Sequence, residues 1–482
     1  MVIYTSYIEV FVAFVRYKQR GQKWYAYEVS NIWNKELKKY KQHTVYLGVA
    51  EENGGPYKKA EKSVAPREKA ILDYGDSYAL DKILETSGLK QLLKDCFVDH
   101  DQIMALVLYQ LTQGQAMSHY HNWAEGNIVQ QIFKAPNLTS QRISDLLKKL
   151  GKAEVQRKFF QSYIAAFFKD KHGVLIDSTA LPSAINSSLN AWGYGAGGVD
   201  KKVGCLMLVD KNSKLPIFFR SIPGEIADVS TLEATFKEIK LLGLKAEHAI
   251  FDAGYFSESN ITYLCQTKIN FISRMPKSRK AFVELVTKYK RNLEDMNNAL
   301  QYGDRVVFMK SVKIKLYGYK MFAHIILDPD KKAKDMKYLM LDALNNPAEK
   351  DGVQEKMDQA GMLILISSSE LDKTEVLPSY YARQSIEQIF GFAKSSNDLL
   401  PLRVHSELGI NGYLLLSFIA LVLFILVRQK LSEQFTVEQA LLILRNLKAK
   451  VFDHSIIIAE ASKKQKTILS LLGCTVPTNP GI

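Results

Sequence analysis

Fifteen consecutive residues, Tyr413 to Val427 (YLLLSFIALVLFILV), include almost nothing polar. A helix that is apolar on every side has no face to offer water, so it must be enclosed. The run is shorter than the roughly 20 residues that cross a bilayer. It is therefore expected to be a buried core helix, and the rest of the chain must supply layers around it. The 482 residues suffice for roughly three domains with a sizeable core.

Composition is that of a globular chain, with 47% hydrophobic and 24% charged residues. The formal net charge is +14 and the isoelectric point about 9.2. Such an excess favours a polyanionic partner, a nucleic acid or a membrane surface. The four cysteines, Cys96, Cys205, Cys265 and Cys474, form no C-x-x-C pair and stand far apart. That spacing argues against a zinc site or a disulfide framework and suits a reducing compartment. The N-terminus lacks a signal-peptide plan, because Glu9 interrupts its apolar run and no basic segment precedes it.

Residues 1–60 read as a strand-rich region. Tyr4 to Arg16, Lys23 to Val29 and His43 to Val49 are β-like runs, punctuated by Gly21, Gly48 and Gly54-Gly55-Pro56. Between two of them lies a basic, aromatic segment, Lys35, Lys38, Lys39, Tyr40 and Lys41, of the kind that tracks a phosphate backbone. Residues 61–165 read as a helical, DNA-binding domain, periodic over Leu80 to Phe97, His100 to Thr112 and Ser140 to Leu150. Asn137 to Ser140 offers N-caps and Gly151 a stop.

From His172 the pattern changes. Gly173 to Asp177 is an apolar strand ending in a carboxylate, and Val203 to Val209 and Leu215 to Ile222 are two further strands. Ser230 to Leu242 reads as a helix, Ala249 to Asp252 as a fourth strand ending in a carboxylate, and Ile269 to Ser273 as a fifth. Three antiparallel strands, a helix and a parallel fourth strand form the mixed sheet of an α/β, ribonuclease-H-like core, its first part over residues 166–275. Residues 276–360 interrupt it and read as an inserted β-rich subdomain, with a hairpin of Arg305 to Leu316 and Tyr319 to Leu327 turning at Gly318. Residues 361–430 resume the core, and residues 431–482 read as a helical tail.

The second part of the core carries the stretch Tyr380 to Lys394. Read as one helix at about 100° per residue, it puts Tyr380, Arg383, Glu387 and Lys394 within an arc of roughly 60°. Ile386, Ile389, Phe390 and Ala393 fall on a separate apolar face. A carboxylate among two cations and a phenol could hold a metal ion and grip phosphates. Asp177 and Asp252 end neighbouring strands, so all three carboxylates are expected at one rim of the sheet. Oxygen ligands without Cys or a His cluster suit Mg²⁺ or Mn²⁺, and two such ions would serve an in-line phosphoryl displacement.

Tyr380, Arg383, Glu387 and Lys394 reproduce the signature Tyr-(2)-Arg-(3)-Glu-(6)-Lys, and the chain resembles the bacterial insertion-sequence DDE transposases that carry it. The segments LIDST around Asp177, FDAGYFS around Asp252 and IADVSTL around Asp228 resemble the family too. The resemblance implies a metal triad of Asp177, Asp252 and Glu387, with Tyr380, Arg383 and Lys394 positioning the phosphates of the transposon ends. Asp228 stands outside that triad. It further implies binding of double-stranded DNA at terminal inverted repeats, metal-dependent strand cleavage and strand transfer, a homodimer on paired ends, and a place in the bacterial cytoplasm at the nucleoid. A ribonuclease-H-like nuclease without strand transfer, and an inactive DNA-binding relic, are the alternatives.

Overall fold

The computed structural model describes residues 13–34, 39–59, 68–134, 138–183, 187–195, 198–226, 228–345, 353–395, 404, 406–431, 433–453 and 455–475. Lys35, Lys38, Asn137 and the start of the first expected strand lie outside the described residues. The chain divides into two units, one of residues 1–69 with 452–454 and one of 70–451 with 455–482.

In the first unit, β1 (Ala13–Arg20), β2 (Lys23–Asn34), β3 (Lys39–Ala50) and β4 (Tyr57–Lys59) form an antiparallel sheet in that order. Gly21, with φ of +61°, opens the tight β1–β2 turn.

The larger unit begins within β5 (Glu68–Asp73) and continues with helices α1 (Gly75–Thr86), α2 (Leu89–Cys96), α3 (His100–Gln113), α4 (Tyr120–Glu125), α5 (Val129–Ile132), α6 (Ser140–Leu150) and α7 (Ala153–Phe167). The core sheet then starts with β6 (Lys171–Pro182), β7 (Ala191–Gly195), β8 (Gly198–Asp210) and β9 (Pro216–Pro223). Helix α8 (Leu232–Leu241) leads to β10 (Lys245–Phe251), and α9 (Glu258–Gln266) to β11 (Asn270–Arg274). β6, β8 and β9 pair antiparallel, whereas β10 adds parallel to β6 and β11 parallel to β10. The resulting order β9-β8-β6-β10-β11 is ribonuclease-H-like. β7 was not anticipated; it pairs with the first half of a β8 longer than expected.

Residues 276–360 contribute α10 (Lys280–Tyr289), β12 (Ala299–Tyr302), β13 (Arg305–Leu316), β14 (Tyr319–Leu327), α11 (Pro329–Asn345) and α12 (Val353–Asp358). Their strands form no sheet of their own. β15 (Met362–Ser367) pairs with β11 on one side and β14 on the other, so the order runs on as β11-β15-β14-β13-β12. The reason is chemical: β15 reads MLILIS and needs a hydrogen-bonded neighbour on both edges to be buried. The β13–β14 hairpin closes on Tyr317 and Gly318, both at positive φ, as a two-residue hairpin turn requires.

The remaining elements are α13 (Lys373–Tyr381), α14 (Gln384–Ser395), α15 (Glu407–Lys430), α16 (Val437–Arg445), β16 (Lys448–Phe452), β17 (Ile456–Ile458) and α17 (Lys463–Leu471). The tail is thus mixed rather than wholly helical: β17, β16 and β5 form a small sheet. The single helix expected over Tyr380 to Lys394 is two helices. Around Ala382 and Arg383 the backbone bonds shorten to three-residue steps, from Arg383 N–H to the Tyr380 carbonyl and from Ile386 N–H to the Arg383 carbonyl.

The apolar run lies in α15, which is 24 residues long. It is long and apolar enough to cross a membrane, yet 89% of its apolar window is buried within the protein. α1, α3, α6 and β9 pack around it. Contact with α6 is backbone to backbone. A Cβ on Gly412 would lie 1.8 Å from the Leu147 carbonyl oxygen, and one on Gly151 1.8 Å from that of Leu408. Gly151 stops α6 as expected, but with an ordinary φ of −77°, so close approach and not a left-handed turn demands glycine there. Gly412→Ala must push α6 off α15 and is expected to cost about 1–3 kcal/mol in urea unfolding. An unchanged midpoint would show that this contact is not tight.

Candidate active site

β10 pairs with β6 only as far as Leu175, opposite Ile250, so Asp177 lies just beyond the last shared rung. β6 itself does not end there; it runs on to Pro182 against β8, and Asp177 sits within it. Asp252 is the first residue after β10, where the chain turns into a single 3-10 turn, Ala253–Tyr255. Parallel pairing of β6 with β10 therefore brings the two carboxylates to one rim. Glu387 comes from the first turn of α14, whose apolar side (Ile386, Ile389, Phe390, Ala393) is buried as the periodicity predicts.

Arg383 joins them. One of its terminal nitrogens donates to Asp177 Oδ2 at 2.7 Å. The other lies 3.1 Å from Glu387 Oε1 and 3.9 Å from Asp252 Oδ2. Its side chain is 14% exposed, against 18% for Asp177, 28% for Asp252 and 55% for Glu387, so the charge cluster opens to solvent on the Glu387 side. Tyr380 is buried, and its hydroxyl donates to Asp252 Oδ1 at 2.9 Å. That buried ring offers no stacking surface in this structure.

The two aspartates are tuned in opposite directions. Burial, more than the nearby charges of Asp252 and Glu387, pushes the Asp177 carboxyl up to about 6 against the pull of Arg383 and the Ser178 N–H. Burial also acts on Asp252, but the Ala253 N–H, Arg274, Arg383 and Tyr380 outweigh it and hold that carboxyl below the usual range.

Arg274 was not singled out from sequence. β10 and β11 are in register at Phe251 and Ser273, so the next residues, Asp252 and Arg274, fall side by side. The Arg274 Nε lies 2.9 Å from Asp252 Oδ1. A cation ending the strand after a carboxylate-ending strand was the available signal. Asp228, outside the expected triad, also comes close: its carboxylate accepts from the Ser178 hydroxyl at 2.6 Å, one residue from Asp177. Lys394 stands apart. It is half-buried on α14 near Cys205, whose strand partner Thr179 is two residues beyond Asp177. Burial lowers the Lys394 pKa, and among the described residues no carboxylate pairs with it.

Among the described residues no three His, Cys, Asp or Glu side chains yet converge closely enough to hold one metal ion. The donor set nonetheless fits a hard divalent cation: three carboxylates from three elements, oxygen only, with one guanidinium already supplying positive charge to all of them.

The site is thus an acidic rim, with its guanidinium groups, on a ribonuclease-H-like sheet. The sequence profile described as "Transposase DDE domain" matches residues 169–423, which is 255 of 482 residues, and the chain belongs to that family. A solved structure, the cryo-EM structure of a piggyBac transposase synaptic complex with hairpin DNA, is similar at 12% identity with a TM-score of 0.40, covering 77% of this chain and 70% of that one. No protein of curated function matches the chain in sequence.

The raised Asp177 pKa has a stability consequence. The native state holds this proton more tightly than the unfolded chain, so the group lowers stability as pH rises from about 4 to about 6, and the loss persists above. Asp177→Asn is expected to raise stability by roughly 1–3 kcal/mol at pH 7 in EDTA and by almost nothing at pH 4. Thermal melts at the two pH values check this; a variant less stable at pH 7 would mean that the pair with Arg383 outweighs burial.

Proposed function

We propose that the chain is the transposase of a bacterial insertion sequence, cutting and joining DNA at terminal inverted repeats with Asp177, Asp252 and Glu387 as its metal-binding triad. The convergence of these carboxylates from β6, the end of β10 and α14 on the Arg383 guanidinium carries the reading. Mg²⁺ or Mn²⁺ ions held there, two per site, would activate a water or a 3′-hydroxyl and stabilise the leaving oxygen.

The protein's own groups do the rest. Tyr380 and Arg274 hold the Asp252 carboxylate in its charged form and fix its direction. Arg383 compensates the charge of the acidic cluster. Its Nε is buried with no acceptor among the described residues, so a phosphate contact would require the guanidinium to turn outward. Lys394 has no carboxylate partner among the described residues and overlies the strand beside β6, a place suited to a second phosphate contact. In this reading a homodimer holds paired ends, and the net charge of +14 draws duplex DNA to it.

The test is a cleavage assay with the purified protein, DNA flanking its own gene, and Mg²⁺ or EDTA. Metal-dependent nicking at the element boundary, lost in Asp177→Ala, supports the reading; cutting without preference for the ends supports a nuclease instead, and end binding without cleavage a relic. Glu387→Gln is expected to keep end binding within about two-fold and to abolish cleavage, and normal cleavage by it would remove Glu387 from the triad. Lys394→Ala is expected to reduce the slope of log affinity against log salt by about 1. An unchanged slope would mean that Lys394 touches no phosphate.

A further inference from the structure

The sheet of the first unit has an unusual face. Strand register places Arg20 beside Lys23, Lys18 beside Tyr25, and Arg16 beside Tyr27 and then Tyr46. Phe14 follows on the same side. Side chains alternate along a strand, so these groups share one face of β1, β2 and β3. The rings confirm the placement: Tyr46 lies 5.4 Å from Tyr27 and 6.2 Å from Tyr25, centroid to centroid. Lys18 Nζ is 5.7 Å from the Tyr27 centroid, and the Arg16 guanidinium 5.5 Å from that of Phe14.

An aromatic sheet face is ordinarily the face turned to a core. Here Phe14 is 45% and Tyr46 42% exposed. Arg16, Lys18, Arg20 and Lys23 are exposed too, and none forms an ion pair with a described residue. No carboxylate shares the face on these three strands; Glu28, the one acid of β2, pairs with Val15 and Val45 and points to the other side.

We propose that this face binds single-stranded nucleic acid, stacking bases on Phe14, Tyr27 and Tyr46 and holding phosphates with the four cations. Positive charge alone would suit any polyanion. Exposed rings interleaved with it reward bases whose faces are free, and a duplex hides those faces. The proposal rests on the sheet alone and does not need the cleavage reading.

Fluorescence anisotropy of the full-length protein in EDTA tests it, with a labelled oligothymidylate of about 20 nucleotides and a random duplex of the same length as probes. Phe14→Ala with Tyr46→Ala is expected to weaken oligothymidylate binding roughly five- to hundred-fold and to leave duplex binding within about two-fold. Arg16→Ala with Lys18→Ala is expected to reduce the single-strand salt slope by about 1.4. Melting curves matching the parent establish that the variants fold. Unchanged oligothymidylate binding in both variants would overturn the proposal, and so would equal losses for the two probes, which would mark a surface for duplex backbone.

Discussion

One guanidinium holds the site together. Arg383 reaches Asp177, Asp252 and Glu387 at once, and without it three carboxylates would face one another across a partly buried rim. Like charges so placed either take up protons or separate. At Asp177 burial adds to that repulsion and is the larger effect, so its carboxyl is pushed up to about 6 even with Arg383 beside it. The local backbone serves this contact. The break between α13 and α14 puts Arg383 in a turn between two helices, where its side chain can point at the sheet while α14 keeps its apolar face buried.

The sheet supplies the other half of the geometry. Parallel alignment of β6, β10 and β11 stacks strand ends at one edge, so Asp177, Asp252 and Arg274 arrive together from residues far apart in sequence. The sheet continues past β11 through β15 into the β13–β14 hairpin, which gives the rim a long rigid base. Behind β9 the buried helix α15 ties the sheet to the helices of residues 75–167, with glycines allowing α6 and α15 to touch backbone to backbone. Asp177, Asp252, Arg274, Arg383 and Glu387 thus lie in or directly beside β6, β10, β11 and α14, as a site that must hold charges at fixed spacing needs.

Charge is distributed in two ways. At the rim, three carboxylates share two guanidinium groups, Arg383 and Arg274, so acids outnumber cations there. On the sheet of the first unit, cations stand among exposed rings with no acid on the same face of β1 to β3. The first arrangement leaves an excess of carboxylate at one place; the second suits binding of a polyanion, and the net charge of +14 is the sum in which such surfaces show.

What depends on short-range pattern was legible in the sequence. The apolar strands, the enclosed helix, the N-cap at Thr139 and the three rim carboxylates follow from alternation, helical period and residue type, all local properties. What depends on distant partners was decided only by the tertiary structure. The contact between Asp177 and Arg383 spans 206 residues of sequence. Arg274 and Asp228 join the cluster through strand register and a serine hydroxyl, Tyr380 turns inward to Asp252, and Lys394 is left near Cys205. The hairpin read as a separate insertion became part of the core sheet because β15 needed a second neighbour. A sequence states which groups a strand or helix can present; only the packed sheet states which of them meet, because hydrogen bonds and ion pairs across elements are chosen by geometry that no single segment contains.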